Sequence, residues 1–190
     1  MQLQANLKHV VTWLQERTPR GQAVRFIIFL ALYFLGRYPG LLFVTTSIGQ
    51  AMLAPLHERL SFFITHTCCF VLQVFYPDIH TSVNHTIFIA GKAPIQLFSG
   101  CTGLYQMIRL TFVLVFYPLP WRRKAILFPF SMGVLLFAAS LHFLLLIPIS
   151  YHFPEWYGFA HNWIALIIFY GFYFLCWVIW ESKRRIGVMA

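Results

Sequence analysis

The stretch Phe98-Ser99-Gly100-Cys101-Thr102-Gly103-Leu104-Tyr105-Gln106-Met107-Ile108-Arg109 joins a polar, turn-rich segment to a long apolar run. Ser99 and Gly100 suit a turn or an N-cap, and the residues after them suit a helix, so a spanning helix is predicted to open at Cys101. A cysteine in the first turn of a helix faces unpaired backbone N–H groups and the positive end of the macrodipole. Both favour thiolate over thiol and raise nucleophilicity at neutral pH. The alternative is that Cys101 is a small packing residue, as free cysteines commonly are.

The surrounding composition sets the solvent. Of 190 residues, 59% are hydrophobic and 10% charged. A soluble domain carries about a quarter charged residues, so an integral membrane protein is expected. Aromatics at 19%, with 21 Phe, suit lipid-facing helices with Trp and Tyr at the interfaces. The net charge of +9 does not point to nucleic acid, because the basic residues gather at the ends of apolar runs, where they set topology and meet anionic headgroups. Cys68, Cys69, Cys101 and Cys176 form neither a disulfide framework nor a metal-ligand spacing. Cys68 and Cys69 are expected to pack. The first 22 residues are polar and mixed and do not read as a cleavable signal.

Along the chain, Leu3, Leu7, Val10, Val11 and Leu14 recur at helical spacing, so residues 1–22 read as an interfacial amphipathic helix and linker, ended by Thr18-Pro19-Arg20-Gly21. Residues 23–190 read as one transmembrane helical domain. The first span runs from Val24 to about Val44 and is kinked or broken at Gly36-Arg37-Tyr38-Pro39-Gly40. A polar connector through His57-Glu58-Arg59 leads to a short second span, Leu60 to Phe75. Thr86–Ile89 and Ile95–Phe98 around Ala90-Gly91-Lys92-Ala93-Pro94 predict a small β-hairpin. The third span is Cys101 to Pro120, and the fourth is Ala125 to Ile147, stopped by Pro148. The fifth starts near His161 and ends at Trp180. The expected fold is an all-α polytopic membrane protein of about five transmembrane helices, with an extracytoplasmic hairpin before the third.

The basic clusters at 121–124 and 183–185 should both be cytoplasmic. Cys101 and His161 then lie at the outer ends of their helices. His142, six residues before Pro148, lies roughly 9 Å below the outer end at 1.5 Å per residue. Lys8, Arg17, Arg20 and Arg25 argue for a cytoplasmic N-terminus, which needs an odd number of crossings before Cys101, yet two are counted. An extra turn near Gly36–Gly40, a re-entrant second segment, or an outer N-terminus would each resolve this.

Cys101-Thr102-Gly103 opening a helix, with His161 after a later loop and a last helix ending Trp177-Val178-Ile179-Trp180-Glu181, resembles the exosortase/archaeosortase family of membrane-embedded cysteine transpeptidases. The likeness covers roughly residues 60 to 181. The family's Asn-x-x-Arg falls on Ala139-Ser140-Leu141-His142, so both signature positions differ. The resemblance implies a cysteine protease/transpeptidase of the cell inner membrane, with its site facing the extracytoplasmic side. It acts on exported proteins that carry a C-terminal sorting signal. Cys101 would be the nucleophile and His161 the general base, with His142 donating a hydrogen bond where the family has arginine. Membrane lipid is the other expected partner; no nucleic acid, cofactor or metal is called for. The rival readings are a catalytically degenerate relative that binds or assembles a partner, and a zinc site built from Cys101, His142 and His161.

Other polar residues have plainer expectations. His152 and Glu155 suit a solvated loop. Ser140 and Thr102 suit helix packing or backbone bonding. Arg109 sits two turns after Cys101, roughly 12 Å deeper, too far to replace the family arginine. Asn84-His85-Thr86 matches a glycosylation sequon.

Overall fold

The computed structural model describes residues 19–82, 85–89, 94–96 and 102–186, with backbone alone at Pro19, Pro39, Gln96 and 182–186. The expected amphipathic helix at the N-terminus lies outside the described residues, apart from its last few positions. Among the described residues, six α-helices and three short strands follow in order: α1 Pro19–Leu35, α2 Arg37–Thr45, α3 Ser47–Leu72, β1 His80–Thr81, β2 Thr86–Phe88, β3 Ile95–Gln96, α4 Leu104–Phe116, α5 Trp121–His152 and α6 Tyr157–Ile186. Three helical stretches are long and apolar enough to cross a membrane: Arg20–Thr45, Trp121–His152 and Pro154–Glu181. Leu104–Phe116 is apolar but shorter.

The first expected span is interrupted for one residue at Gly36, whose own backbone stays helical at φ −63° and ψ −14°. Gly36 separates α1 from α2. A Cβ at Gly36 would lie 2.8 Å from the Phe112 ring and 3.0 Å from the Leu32 carbonyl oxygen, so the missing side chain lets α1 and α4 approach closely. Thr46 then turns the chain: its backbone is extended and its Oγ1 accepts the Gly49 N–H at 3.0 Å, an N-cap that starts α3.

Several boundaries differ from expectation. Pro19-Arg20-Gly21, expected as a linker, is helical and belongs to α1. The polar connector at His57-Glu58-Arg59 is helical and belongs to α3, with Glu58 and Arg59 exposed. Pro148 does not stop the fourth span. It lies inside α5, as Pro129 does, and the helix continues to His152. Packed helices in a membrane accommodate prolines that would end a helix in water. The third span shrinks to α4, about 20 Å long at 1.5 Å per residue. The hairpin is present, with Thr86 opposite Gln96 and Ile87 opposite Ile95. It gains a third strand, β1, antiparallel to β2 through His80–Phe88 and Thr81–Ile87. Ile79 and Ile87 anchor this sheet in the core.

The core is apolar, with Ile64, Leu110, Val113, Leu135, Ala138 and Ile147 wholly buried. At one end of the bundle it encloses a charge pair. Arg25 Nε donates to Glu181 Oε2 at 2.9 Å, and the Tyr117 hydroxyl donates to Glu181 Oε1 at 2.8 Å. Beside it the rings of Phe29, Tyr117 and Trp180 pack on one another, 5.8 to 6.2 Å apart centroid to centroid. The start of α1, the end of α4 and the end of α6 therefore meet. Removing one partner of a buried pair leaves an uncompensated charge, costing about 3–5 kcal/mol. Arg25→Met and Glu181→Met should each lower the unfolding midpoint in detergent, and the double variant should recover part of the loss. Additive losses would show that the pair is not coupled.

Candidate active site

α4 does not begin at Cys101. Its first residue is Leu104, and its N-cap is Gly103, whose φ of 71° is left-handed. That backbone cannot continue a helix, so the first-turn placement expected for Cys101 is not met. Cys101 itself lies outside the described residues. Thr102 is fully buried, and its Oγ1 accepts the Leu104 N–H at 3.4 Å, the backbone-bonding role expected of it. A Cβ on Gly103 would stand 3.1 Å from the Ala139 Cβ and 3.5 Å from the Phe169 ring. Left-handed backbone and close approach both demand glycine here. The Thr102-Gly103 turn is thus seated against α5 at Ala139 and against α6 at Phe169.

One helical turn beyond Ala139 stands His142, 1% exposed. The His142 ring lies 5.6 Å from the His161 ring and 5.9 Å from the Phe169 ring, centroid to centroid. The two histidines meet because α5 and α6 form a hairpin: one lies ten residues before His152, the other nine after it. His161 does not begin a helix. The loop expected around it is almost entirely helical, since a 3₁₀ turn at Pro154–Trp156 runs straight into α6 at Tyr157. His161 is therefore in the second turn, half-buried and stacked on Tyr157 at 5.8 Å.

Both ring nitrogens of His142, and Nδ1 of His161, are buried with no hydrogen-bond partner among the described residues. The ring and main chain of His161 are the polar groups that face His142. Buried imidazole nitrogens are costly to leave unpaired. A neutral imidazole offers one donor and one acceptor, so the pair can pass or share a proton with a group placed beside it. No cluster of three or more His, Cys, Asp or Glu able to hold a metal ion occurs among the described residues.

The competing residues go elsewhere. His152 Nε2 is 2.8 Å from the Tyr76 hydroxyl, at the far end of α5. Glu155 is exposed on the 3₁₀ turn. Ser140 Oγ donates to the Leu136 carbonyl, a helix back-bond. Cys68, Cys69 and Cys176 are buried free thiols. Asn84 lies outside the described residues.

Sequence reasoning missed a polar layer beside this site. Arg109 Nη1 donates to the Tyr33 hydroxyl at 3.3 Å and to Gln106 Oε1 at 3.5 Å. The Tyr173 hydroxyl donates to the Gln106 carbonyl at 2.6 Å. Tyr33 and Tyr173 lie on helices far apart in sequence, and nothing in their local patterns announces the meeting. The one legible signal was an arginine within an apolar run.

Compared with protein-family models, with curated proteins and with solved structures, the chain finds no match. The geometry stands alone. At the site Gly103 is constrained twice over: a left-handed non-glycine residue costs roughly 1–2 kcal/mol before any clash is added. Gly103→Ala should lower the thermal midpoint of the purified protein by several degrees, whereas Gly133→Ala, where a Cβ meets nothing, should leave it unchanged. Equal midpoints for the two variants would contradict the seating of this turn.

Proposed function

We propose that the chain is a membrane-embedded cysteine protease/transpeptidase of the exosortase/archaeosortase type, with Cys101 as nucleophile and His161 as general base. One observation carries this reading. The Thr102-Gly103 turn packs against the same two helices, at Ala139 and Phe169, that bring the rings of His142 and His161 together. Two residues of extended chain span at most about 7 Å, so Cys101 stays close to that turn wherever it points.

In this reading His161 takes the thiol proton of Cys101 as the sulfur attacks a peptide carbonyl. It returns that proton to the amine that leaves when the peptide bond breaks. The thioacyl product is then released to an amine acceptor or to water. His142 donates one hydrogen bond to the developing oxyanion, at the position where the family has arginine. The substrate is an exported protein with a C-terminal sorting signal. The start of α1 lies with the ends of α4 and α6, near both basic clusters, which favours a cytoplasmic start for α1 and an inner-membrane protein with its site reached from the extracytoplasmic side.

A second reading, a non-catalytic relative that binds a partner, is favoured by Ala139 and His142 at the two signature positions. Ala139 is wholly buried against Gly103, leaving little space for the asparagine the family carries.

The test is processing of a co-expressed exported protein that carries a C-terminal sorting signal, followed by mass. Cys101→Ala should abolish processing while the protein still inserts. His161→Gln should slow it by about 10²–10⁴-fold, the usual contribution of a positioned general base. His142→Arg should retain or raise the rate. Processing by the parent chain that is unchanged in Cys101→Ala removes the enzyme reading. A partner that co-purifies at unaltered mass, indifferent to Cys101→Ser, establishes the binding one.

A further inference from the structure

Arg109 is a cation inside the bundle with no counter-charge among the described residues. The chain has five carboxylate side chains, Glu16, Glu58, Asp78, Glu155 and Glu181. Glu181 is bonded to Arg25, and that is the one ion pair among the described residues. Glu58, Asp78 and Glu155 are exposed elsewhere. Glu16 is outside the described residues.

The guanidinium is nonetheless held in place. Its Nη1 is tied to the Tyr33 hydroxyl and to Gln106 Oε1, and its carbon lies 5.9 Å from the Tyr33 ring centroid. Tyr173 pins Gln106 from the opposite helix through both its carbonyl and its side-chain oxygen. This leaves Nε and Nη2 with no partner among the described residues. Those two nitrogens form the side-on edge of the fork, whose parallel N–H groups match the two oxygens of a carboxylate. Arg109 is half-buried, and Tyr170, 5.5 Å from Tyr33, is 38% exposed, so the layer reaches the surface between α1 and α6.

We propose that Arg109 is a receptor for an acidic side chain on an apolar peptide segment that enters the bundle between α1 and α6. Depth decides against a lipid phosphate. Tyr173, in the same layer, lies about 12 Å along α6 from Glu181 and about 24 Å from Tyr157, at 1.5 Å per residue. Headgroups at either end are out of its layer, whereas a spanning segment brings a carboxylate to that depth. The assignment rests on the reading that the bundle admits a peptide, but not on cleavage.

The experiment measures binding alone. Full-length Cys101→Ala protein, labelled with a dye, is placed in phosphatidylcholine vesicles at pH 8. It is titrated with a quencher-labelled leucine–alanine helix carrying one central Glu, and with the same peptide carrying Gln. The Glu peptide should bind about tenfold or more tightly, the ratio expected of a charge-assisted pair. Arg109→Gln should erase that preference, and Arg109→Lys, which keeps charge but not the fork, should reduce it. Equal binding of the two peptides by the parent protein overturns the proposal, and that comparison does not depend on any variant folding. A Glu preference that survives in Arg109→Gln also overturns it. So does a preference abolished by adding phosphatidylglycerol, which would assign the fork to lipid phosphate. None of these outcomes bears on processing by Cys101, which is read in the separate assay.

Discussion

The left-handed backbone of Gly103 fixes where the apolar run after it can go. Its backbone ends the preceding segment and starts α4, and the absence of a side chain lets the turn rest on Ala139 and Phe169. From there α4 is committed to the groove between α1 and the α5–α6 hairpin. That direction carries Gln106 and Arg109 to Tyr33 and Tyr173, and Tyr117 to Glu181. It also sets the Thr102-Gly103 turn one helical turn from His142. The same contact thus positions the candidate site and the polar layer beside it.

The opposite end of α4 is closed by charge. Arg25 and Glu181 are 156 residues apart in sequence, yet they lie at 2.9 Å and almost wholly out of solvent. In an apolar surrounding neither charge is tolerable alone, so the pair forces the first and last described helices to share one end of the bundle. Tyr117 donates its hydroxyl to the other carboxylate oxygen and brings α4 into the same contact. Hydrophobic packing by itself gives little preference among helix pairings in lipid, because lipid tails are as apolar as leucine. Specific polar contacts such as this one, and close approach at Gly36, discriminate between otherwise similar bundles.

Helices long and apolar enough to cross a membrane, the interruption at Gly36, the hairpin around residues 90–94 and the long final helices were legible, because each rests on local composition. Low charge, paired glycines and β-branched runs around a turn keep their meaning whatever the tertiary context. The failures share a cause. Pro148 and His57-Glu58-Arg59 look like interruptions by the rules of water-exposed chains, but a packed bundle tolerates the one and leaves the other exposed along a continuing helix. The start of α4 was misplaced by three residues because Gly100 and Gly103 are equally good stops, and only the seating against Ala139 selects the second. Of the site, the His142–His161 encounter could be anticipated from near-equal spacing on either side of His152. The Arg109 layer could not, since its members come from three helices.

Under the proposed mechanism an imidazole at residue 142 stands where the family that the chain resembles carries a guanidinium, and the difference has a chemical meaning. An arginine brings a permanent charge and several donors; a neutral histidine brings one donor and one acceptor. One lost oxyanion donor typically costs 10²–10³ in rate, so a chain with His142 is a slower acyl-transfer catalyst unless another group compensates. His161 is the group near enough to do so. Its ring lies beside that of His142, and both carry unpartnered nitrogens among the described residues. An imidazolium formed when His161 accepts the thiol proton would strengthen the donor character of its neighbour through a shared proton. In such a site the charge that stabilises the oxyanion is generated by the first proton transfer and is absent before it. That differs from a resident guanidinium and ties the rate to the proton affinity of the pair.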